Sequence, residues 1–285
     1  MTSPATAPVL FDRRLLALRQ QRAANAPETF LLERVAEDLG DRLAAVNRAF
    51  TDAADVWTPG AGLKPYLAGR ISRLAHLAAP DTADERLPLA PQSLDLALSA
   101  LAFQFVNDLP GLLVQIRRAL RPDGLLLAAM IGGDTLTELR QSFAAAEAEC
   151  EGGVSPRVAP FADLRDIGGL LQRAGFALPV TDVDRVVVRY ASAFGLMQDL
   201  RRMGAANSLV ERRRTPLRRA TLLRMAEIYA ERFADPDGRI RATFDIIWIS
   251  GWAPHDSQQK PLKPGSATAS LEAAVKRSQG TGDRE

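Results

Sequence analysis

Residues 94–131, LDLALSALAFQFVNDLPGLLVQIRRALRPDGLLLAAMI, decide the fold. The opening run, Leu94 to Phe105, is almost continuously apolar, as a strand buried on both faces must be. It ends at Asn107-Asp108, where Asp108 supplies an N-cap for a helix over Leu109 to Leu120 whose Leu112, Leu113, Ile116 and Leu120 share one face. Arg121-Pro122-Asp123-Gly124 has the composition of a turn, and Gly124 to Ile131 reads as a second buried strand. Strand, helix, turn and strand within about forty residues form a βαβ unit and call for a parallel sheet.

Working outward, Asp55-Val56-Trp57 is a short β-like run that ends in Thr58-Pro59-Gly60-Ala61-Gly62, with a helix expected around Tyr66 to Arg70. Before it, the first fifty residues read as two helices broken at Asn25-Ala26-Pro27. In the second, Phe30, Leu31, Val35, Leu39 and Leu43 recur at helical spacing. After the βαβ unit, Gly132-Gly133-Asp134 closes the strand and Asp134 is placed to cap a long helix, Thr135 to Cys150. Phe161 to Ala174 is a further helix stopped by Gly175. Val180 to Tyr190 and Ile240 to Trp252 are β-like and form a candidate antiparallel pair at one sheet edge, the second preceded by the turn Asp235-Pro236-Asp237-Gly238. Helices near Ser192 to Gly204 and Pro216 to Arg232 lie between them. The expected organisation is a helical arm over 1–50, an α/β domain over 51–255 carrying a helical insertion at 192–233, and a polar tail over 256–285 expected to be disordered.

The composition narrows the class. A chain of 285 residues that is 47% hydrophobic and 25% charged can bury a sizeable core. Its 36 basic against 34 acidic residues leave a formal charge of +2, too diffuse for a nucleic-acid footprint. One place concentrates charge: between Glu211 and Arg224 six Arg stand against one Glu, for which a solvated helix face is the bland reading and an acidic partner or anionic lipid surface the functional one. A single cysteine, Cys150, allows no intrachain disulfide, and with only His76 and His255 the chain offers no metal-ligand set. The longest apolar run, Leu125 to Ile131, is too short to span a bilayer, and Met1 to Leu10 lacks the character of a signal segment. The expectation is a cytoplasmic protein, at most peripheral to the inner membrane.

Read as a whole, VLFDRRLLALRQQRAA (9–24), ADERLPLAPQSLDLALSALAFQFVNDLP (83–110), LRPDGLLLAAMIGGDTLTELR (120–140) and EGGVSPRVAPF (151–161) resemble the class I S-adenosylmethionine methyltransferase-like family. Within it the chain is similar to the bacterial relatives of a mitochondrial complex I assembly factor, an arginine hydroxylase. The GGDTLTELR and EGGVSPRVAPF segments carry most of that specificity. The resemblance implies a seven-stranded, mostly parallel Rossmann-like sheet with its last two strands antiparallel, S-adenosylmethionine at the carboxyl ends of the strands, and a protein substrate belonging to respiratory complex I.

The implied site residues follow position by position. The family's first motif is an acid followed by Gly-x-Gly-x-Gly. This chain places Val56 at the acid and Thr58 at the first glycine, with Gly60 and Gly62 kept. Asp81, at 19 residues beyond Gly62, is the candidate for the ribose, Asp84 and Glu85 match the adenine-side acid, and Leu101 to Gln104 match the loop after the family's fourth strand. On the substrate side Asp134, with Thr135 and Glu138 in support, is the candidate catalytic carboxylate for receiving a guanidinium. Three functions compete: modification of a protein by methylation or hydroxylation, a non-catalytic assembly protein that has lost the cofactor, and a small-molecule or acyl-carrier carboxyl methyltransferase. Val56, Thr58, Pro59 and the short stretch from Gly62 to Asp84 favour the second, and the segments LLQRAGFALPVTDVD (170–184), MQDLRRMGAANS (197–208) and GWAPHDSQQKPLKPGSA (251–267), which share the likeness to the assembly-factor relatives, argue against the third.

Overall fold

The computed structural model describes residues 9–67, 69 and 71–259. The chain divides into two units, 1–254 and 255–285. Of the second, the described part is a short turn in which His255 Nδ1 meets the Ser257 hydroxyl at 2.6 Å. The rest of the expected tail lies outside the described residues.

The first unit is built on a six-stranded sheet of β1 (Phe50–Val56), β2 (Ile71–Leu77), β3 (Leu94–Ala100), β4 (Leu120–Gly132), β5 (Ala177–Tyr190) and β6 (Ile240–Trp252), in the order β2-β1-β3-β4-β6-β5. The first four are parallel, and β6 runs antiparallel to both β4 and β5. The helices are α1 (Arg13–Ala23), α2 (Phe30–Ala44), α3 (Leu109–Ala119), α4 (Thr137–Glu151), α5 (Leu164–Arg173), α6 (Ala193–Arg202) and α7 (Arg219–Phe233).

The period-two pattern of buried strands explains the layering. Along β4, Leu125, Leu127, Ala129 and Ile131 face α2, α4, α6 and α7, whereas Leu126, Ala128 and Met130 face α3 and α5. Leu96, Leu98, Leu112, Leu113 and Leu126 have no exposed surface, so truncating any one to Ala costs about 2–5 kcal/mol. Local signals set the helix ends. The Asp108 carboxylate accepts from Gly111 N–H at 2.9 Å to start α3, and Asp163 accepts from Arg165 N–H at 2.8 Å to start α5. Gly175, at φ 83°, follows α5 where no side chain is tolerated easily.

Three departures from the sequence reading have physical causes. The strand from Leu94 stops at Ala100 rather than Phe105: Leu101 turns to φ 52° and Phe103–Phe105 winds into a 3-10 turn. No helix forms near Tyr66. Pro65 and Gly69 bracket a segment too short to nucleate one, and only a turn with Tyr66 N–H donating to the Leu63 carbonyl at 3.1 Å remains. Among the described residues the sheet has six strands rather than seven, because residues 78–93, interrupted by Pro80, Pro88 and Pro91, cross to β3 without adding to it.

Candidate functional site

Three non-glycine residues occupy left-handed backbone at the carboxyl ends of successive strands: Trp57 (φ 64°) after β1, Leu101 (φ 52°) after β3 and Leu136 (φ 54°) after β4. Strain of this kind collects where a fold holds a site. Leu101 and Leu136 line a cavity of about 410 Å³, and so do Gly60, Gln104, Thr135 and, from the insertion, Met197 of α6. The cavity is therefore floored by the ends of β1, β3, β4 and β6 and covered by α1, α2 and α6.

The expected site residues divide into those that reach this cavity and those that do not. Gly60 lines it, with open space where a side chain would project. Leu101 and Gln104 line it too, but the Gln104 amide is used internally, donating to the Leu101 carbonyl at 2.7 Å and accepting from Ile131 N–H at 3.4 Å. Thr135 lines it with its hydroxyl donating to the Gly132 carbonyl at 2.7 Å and accepting from Asp245 N–H at 2.8 Å. Thr58 is buried in the seam between strands, where its hydroxyl accepts from Ala100 N–H at 2.9 Å. Asp81 sits in an exposed bend, and the exposed Asp84 pairs with Arg86 at 2.9 Å. Glu85 is buried and spent: it accepts from Asn107 N–H at 3.0 Å and Asp108 N–H at 2.9 Å, and faces Arg13 at 3.7 Å. Glu138 is equally committed, accepting from the backbone and hydroxyl of Thr243 on β6.

Asp134 differs from its expected capping role. The chain makes one more turn before α4 begins at Thr137, and Leu136 occupies the cap position. The Asp134 carboxylate, 70% exposed, instead holds Arg185 Nη2 at 2.9 Å. Asp245 completes the grip, accepting from Arg185 Nε at 2.7 Å and Nη2 at 2.8 Å. The hydrogen bonds from Arg185 hold the Asp245 carboxyl below its ordinary range, against the opposing effect of burial. Two carboxylates, one on the turn after β4 and one within β6, thus grip one guanidinium, with Asp245 engaging it side-on through two bonds, the geometry in which such pairs are strongest. The sequence carried a signal for Asp245 that was not used: it is a lone charge in the apolar run TFDIIWI.

Val56, at the position of the motif acid, is preceded by a buried carboxylate, Asp55. Val56 has no exposed surface and packs among apolar side chains, while Asp55, 1% exposed, accepts from Leu63 N–H at 2.8 Å and meets His76 Nδ1 of β2 at 3.0 Å. Its Oδ1 has no partner among the described residues. Trp57, the next residue but one, takes left-handed backbone at φ 64°. Gly62 serves this pair: at φ 70°, a Cβ there would overlap Asp55 Oδ2 and lie 2.6 Å from His76 Nδ1.

Fold and strand-end site together define a protein of the methyltransferase fold. A profile described as "Methyltransferase domain" matches residues 71–128. A Bacillus halodurans protein assigned as a methyltransferase superposes with a TM-score of 0.50 at 14% identity, covering 77% of this chain and 99% of its own, which bears on fold alone. The chain is 38% identical over 284 residues to arginine-hydroxylase NDUFAF5, mitochondrial, of Danio rerio, covering 92% of this chain and 88% of that protein. It therefore belongs to the arginine-hydroxylase NDUFAF5 family. A malonyl-[acyl-carrier protein] O-methyltransferase of Laribacter hongkongensis is 40% identical over 199 residues, covering 69% of this chain and 64% of that enzyme.

The residues at the cavity do not fit S-adenosylmethionine, the cofactor that goes with this fold. That molecule brings a positive sulfonium and ammonium, a carboxylate and two ribose hydroxyls. Among the described lining residues the sole carboxylate is Glu28, paired with Arg202 at 3.2 Å. Asp55 lies beneath the glycine turn and is not part of the lining, and among the described residues no helix N-terminus follows that turn to receive the carboxylate. No chemical step is routed through the cofactor below.

Proposed function

We propose that this protein serves the assembly of respiratory complex I by taking up an arginine side chain of a protein partner at the Asp134–Asp245 carboxylate pair. The observation that supports this is the grip on Arg185, whose side chain is 55% exposed and can be exchanged for an incoming guanidinium. The family name of the relatives specifies an arginine as the group acted upon, which fits the same pair. In this reading Asp245 is the fixed, buried half and Asp134 the exposed half. Thr135 and Glu138 hold the β4–α4 turn against β6 so that both carboxylates keep their spacing. The protein acts in the cytoplasm, peripheral to the inner membrane at most.

Whether the bound arginine is then modified separates two readings. Modification by methyl transfer or hydroxylation is the family expectation. A non-catalytic assembly role is favoured by the lining of the cavity, which offers S-adenosylmethionine no free carboxylate. Titration with N-acetyl-arginine-amide tests the arginine site: Arg185→Gln should tighten binding several-fold and Asp134→Asn should weaken it, and if neither changes affinity the assignment fails. Incubating the protein with an arginine-containing peptide of a complex I subunit and S-adenosylmethionine, with dioxygen and a reductant supplied for the hydroxylation arm, followed by mass spectrometry, decides between the readings. A mass gain of one methyl group or one oxygen supports modification, and an unchanged peptide that still binds supports the assembly role.

A further inference from the structure

We propose that the cavity at the strand ends binds an aliphatic carboxylic acid, a long apolar chain with one anionic head. The argument starts from what the walls can and cannot satisfy. Its interior is formed by apolar side chains from four separate elements, among them Leu32 of α2, Leu139 and Phe143 of α4, Leu200 of α6 and Phe244 of β6. Met197 and Met203 add unbranched, adaptable side chains of the sort that mould to a flexible chain. A volume of about 410 Å³ lies within the range of small-molecule sites, and leaving so much apolar wall unfilled is costly for a marginally stable domain.

Polar groups in the lining are almost all committed elsewhere. Gln104 and Thr135 bond to the backbone, Arg157 is held by Glu147, Arg202 by Glu28, and Thr29 donates to Glu33 at 2.7 Å. Asn207 donates to the Pro156 carbonyl at 2.7 Å and accepts from Leu209 N–H at 3.1 Å. Three groups stand out as available among the described residues, the first being the neutral side-chain amide of Gln20, which can bond a ligand of either sign. Arg201 lines the cavity, is exposed at its rim, and has no carboxylate partner. Ser208 lines it from within, is 2% exposed, and its hydroxyl has no partner, so it too awaits a ligand atom. With a free cation and no free anion, the cavity discriminates against positive ligands and selects an anionic head at Arg201, the chain running inward over the phenylalanine and methionine side chains. This site is separate from the arginine grip, since neither Asp134 nor Asp245 lines the cavity.

The test is calorimetric titration of the full-length chain with three probes of equal chain length, decanoate, decanol and decylamine, and with S-adenosylmethionine. The expected order is decanoate tightest, decanol weaker and decylamine undetectable, with S-adenosylmethionine failing to compete. Arg201→Glu, on an exposed helix surface, should weaken decanoate at least tenfold and leave decanol unchanged. Ala206→Trp, which fills the cavity, should abolish both, and where it fails to fold the Arg201→Glu comparison stands on its own. Asp134→Asn should leave decanoate binding unaltered, so that failure here and failure of the arginine grip are told apart. Absence of decanoate binding up to millimolar, decylamine binding as well as decanoate, an unaffected Arg201→Glu variant, or displacement of decanoate by micromolar S-adenosylmethionine would each overturn the proposal.

Discussion

Gly60 and Gly62 look equivalent in sequence, yet replacing each with alanine should have very different effects. Both have left-handed backbone, φ 69° and 70°, so each alanine carries a conformational cost of about 1–2 kcal/mol. At Gly60 nothing lies within 4 Å of the added Cβ, and the cost ends there. At Gly62 the methyl overlaps the Asp55 carboxylate and sits 2.6 Å from His76 Nδ1. The carboxylate must move, giving up its bonds to Leu63 N–H (2.8 Å) and His76 (3.0 Å) in a position only 1% exposed. Leaving such a group unsatisfied adds about 1–3 kcal/mol. Gly60→Ala should therefore cost about 1–2 kcal/mol and Gly62→Ala about 2–5 kcal/mol. Urea unfolding at neutral pH reads the two, and a cycle with His76→Ala tests the cause: removing the imidazole opens room for the shifted carboxylate, so the double variant should lose less than the sum of the singles. Equal losses at the two glycines, or strict additivity with His76→Ala, would refute the reasoning.

Further outcomes follow from other contacts. Glu85→Gln should destabilise the protein by about 3–5 kcal/mol in the same urea assay, since it strips the charge from a buried pair and leaves Arg13, 5% exposed, without its counter-ion. Asp245 titrates below its ordinary 3.8 in the folded protein because Arg185 holds it ionised. The stabilisation from this pair is thus complete above about pH 4 and disappears as pH falls through the lower, folded value. The fall in urea midpoint between pH 6 and pH 3 should accordingly be smaller in Asp245→Asn. Anionic vesicles should sediment little of the protein at 0.15 M salt. In the arginine-rich stretch Arg212 is paired with Asp12, Arg213 and Arg218 with Glu151, and Arg224 with Glu149, Glu227 and Glu231, which leaves Arg214 and Arg219 without a carboxylate among the described residues. Two free arginines offer only about 2 kcal/mol at a membrane surface.

The parts of the fold that could be read from sequence are those set by local periodicity. Residues 94–131 read as a strand, a capped helix and a strand because the buried centres of β3 and β4 are dominated by apolar residues, and Ile240–Trp252 matches its strand end to end because its run from Ile246 to Ile249 is apolar and buried. The site was harder to read because its residues are fixed by long-range partners. Asp134 sits where expected, but nothing near it in sequence foretells Arg185 of β5 or Asp245 of β6. Glu85 matched an adenine-side acid by position, whereas its role depends on Arg13, 72 residues away, and on the amides of Asn107 and Asp108. Counting back from Gly60 and Gly62 puts Val56 at the position of the motif acid, and only the fold reveals that the neighbouring Asp55 is the carboxylate held at the end of β1 by Leu63 N–H and His76.

These changes around the strand ends are coupled rather than independent. Residues 78–93 run from β2 to β3 without adding a strand and are pinned by the N-terminal arm. Arg13 donates to the Phe105 carbonyl at 3.0 Å and the Pro80 carbonyl at 3.2 Å, and its guanidinium lies 5.5 Å from the centre of the Trp57 ring. Asn107 accepts from Leu10 N–H at 2.8 Å and Phe11 N–H at 2.7 Å, fastening the arm from its other side. An acid on the cofactor side of an intact sheet has to stay free to meet a ligand. Glu85 has instead been enclosed by the arm, where its charge neutralises Arg13 and its oxygens satisfy the start of α3. With Glu85 spent on Arg13 and on the start of α3, and Asp55 held beneath the glycine turn, the one carboxylate lining the cavity among the described residues is Glu28, itself paired with Arg202. The arm and the start of α3 are thereby fastened through the same buried carboxylate, so a change at Glu85 should loosen both together.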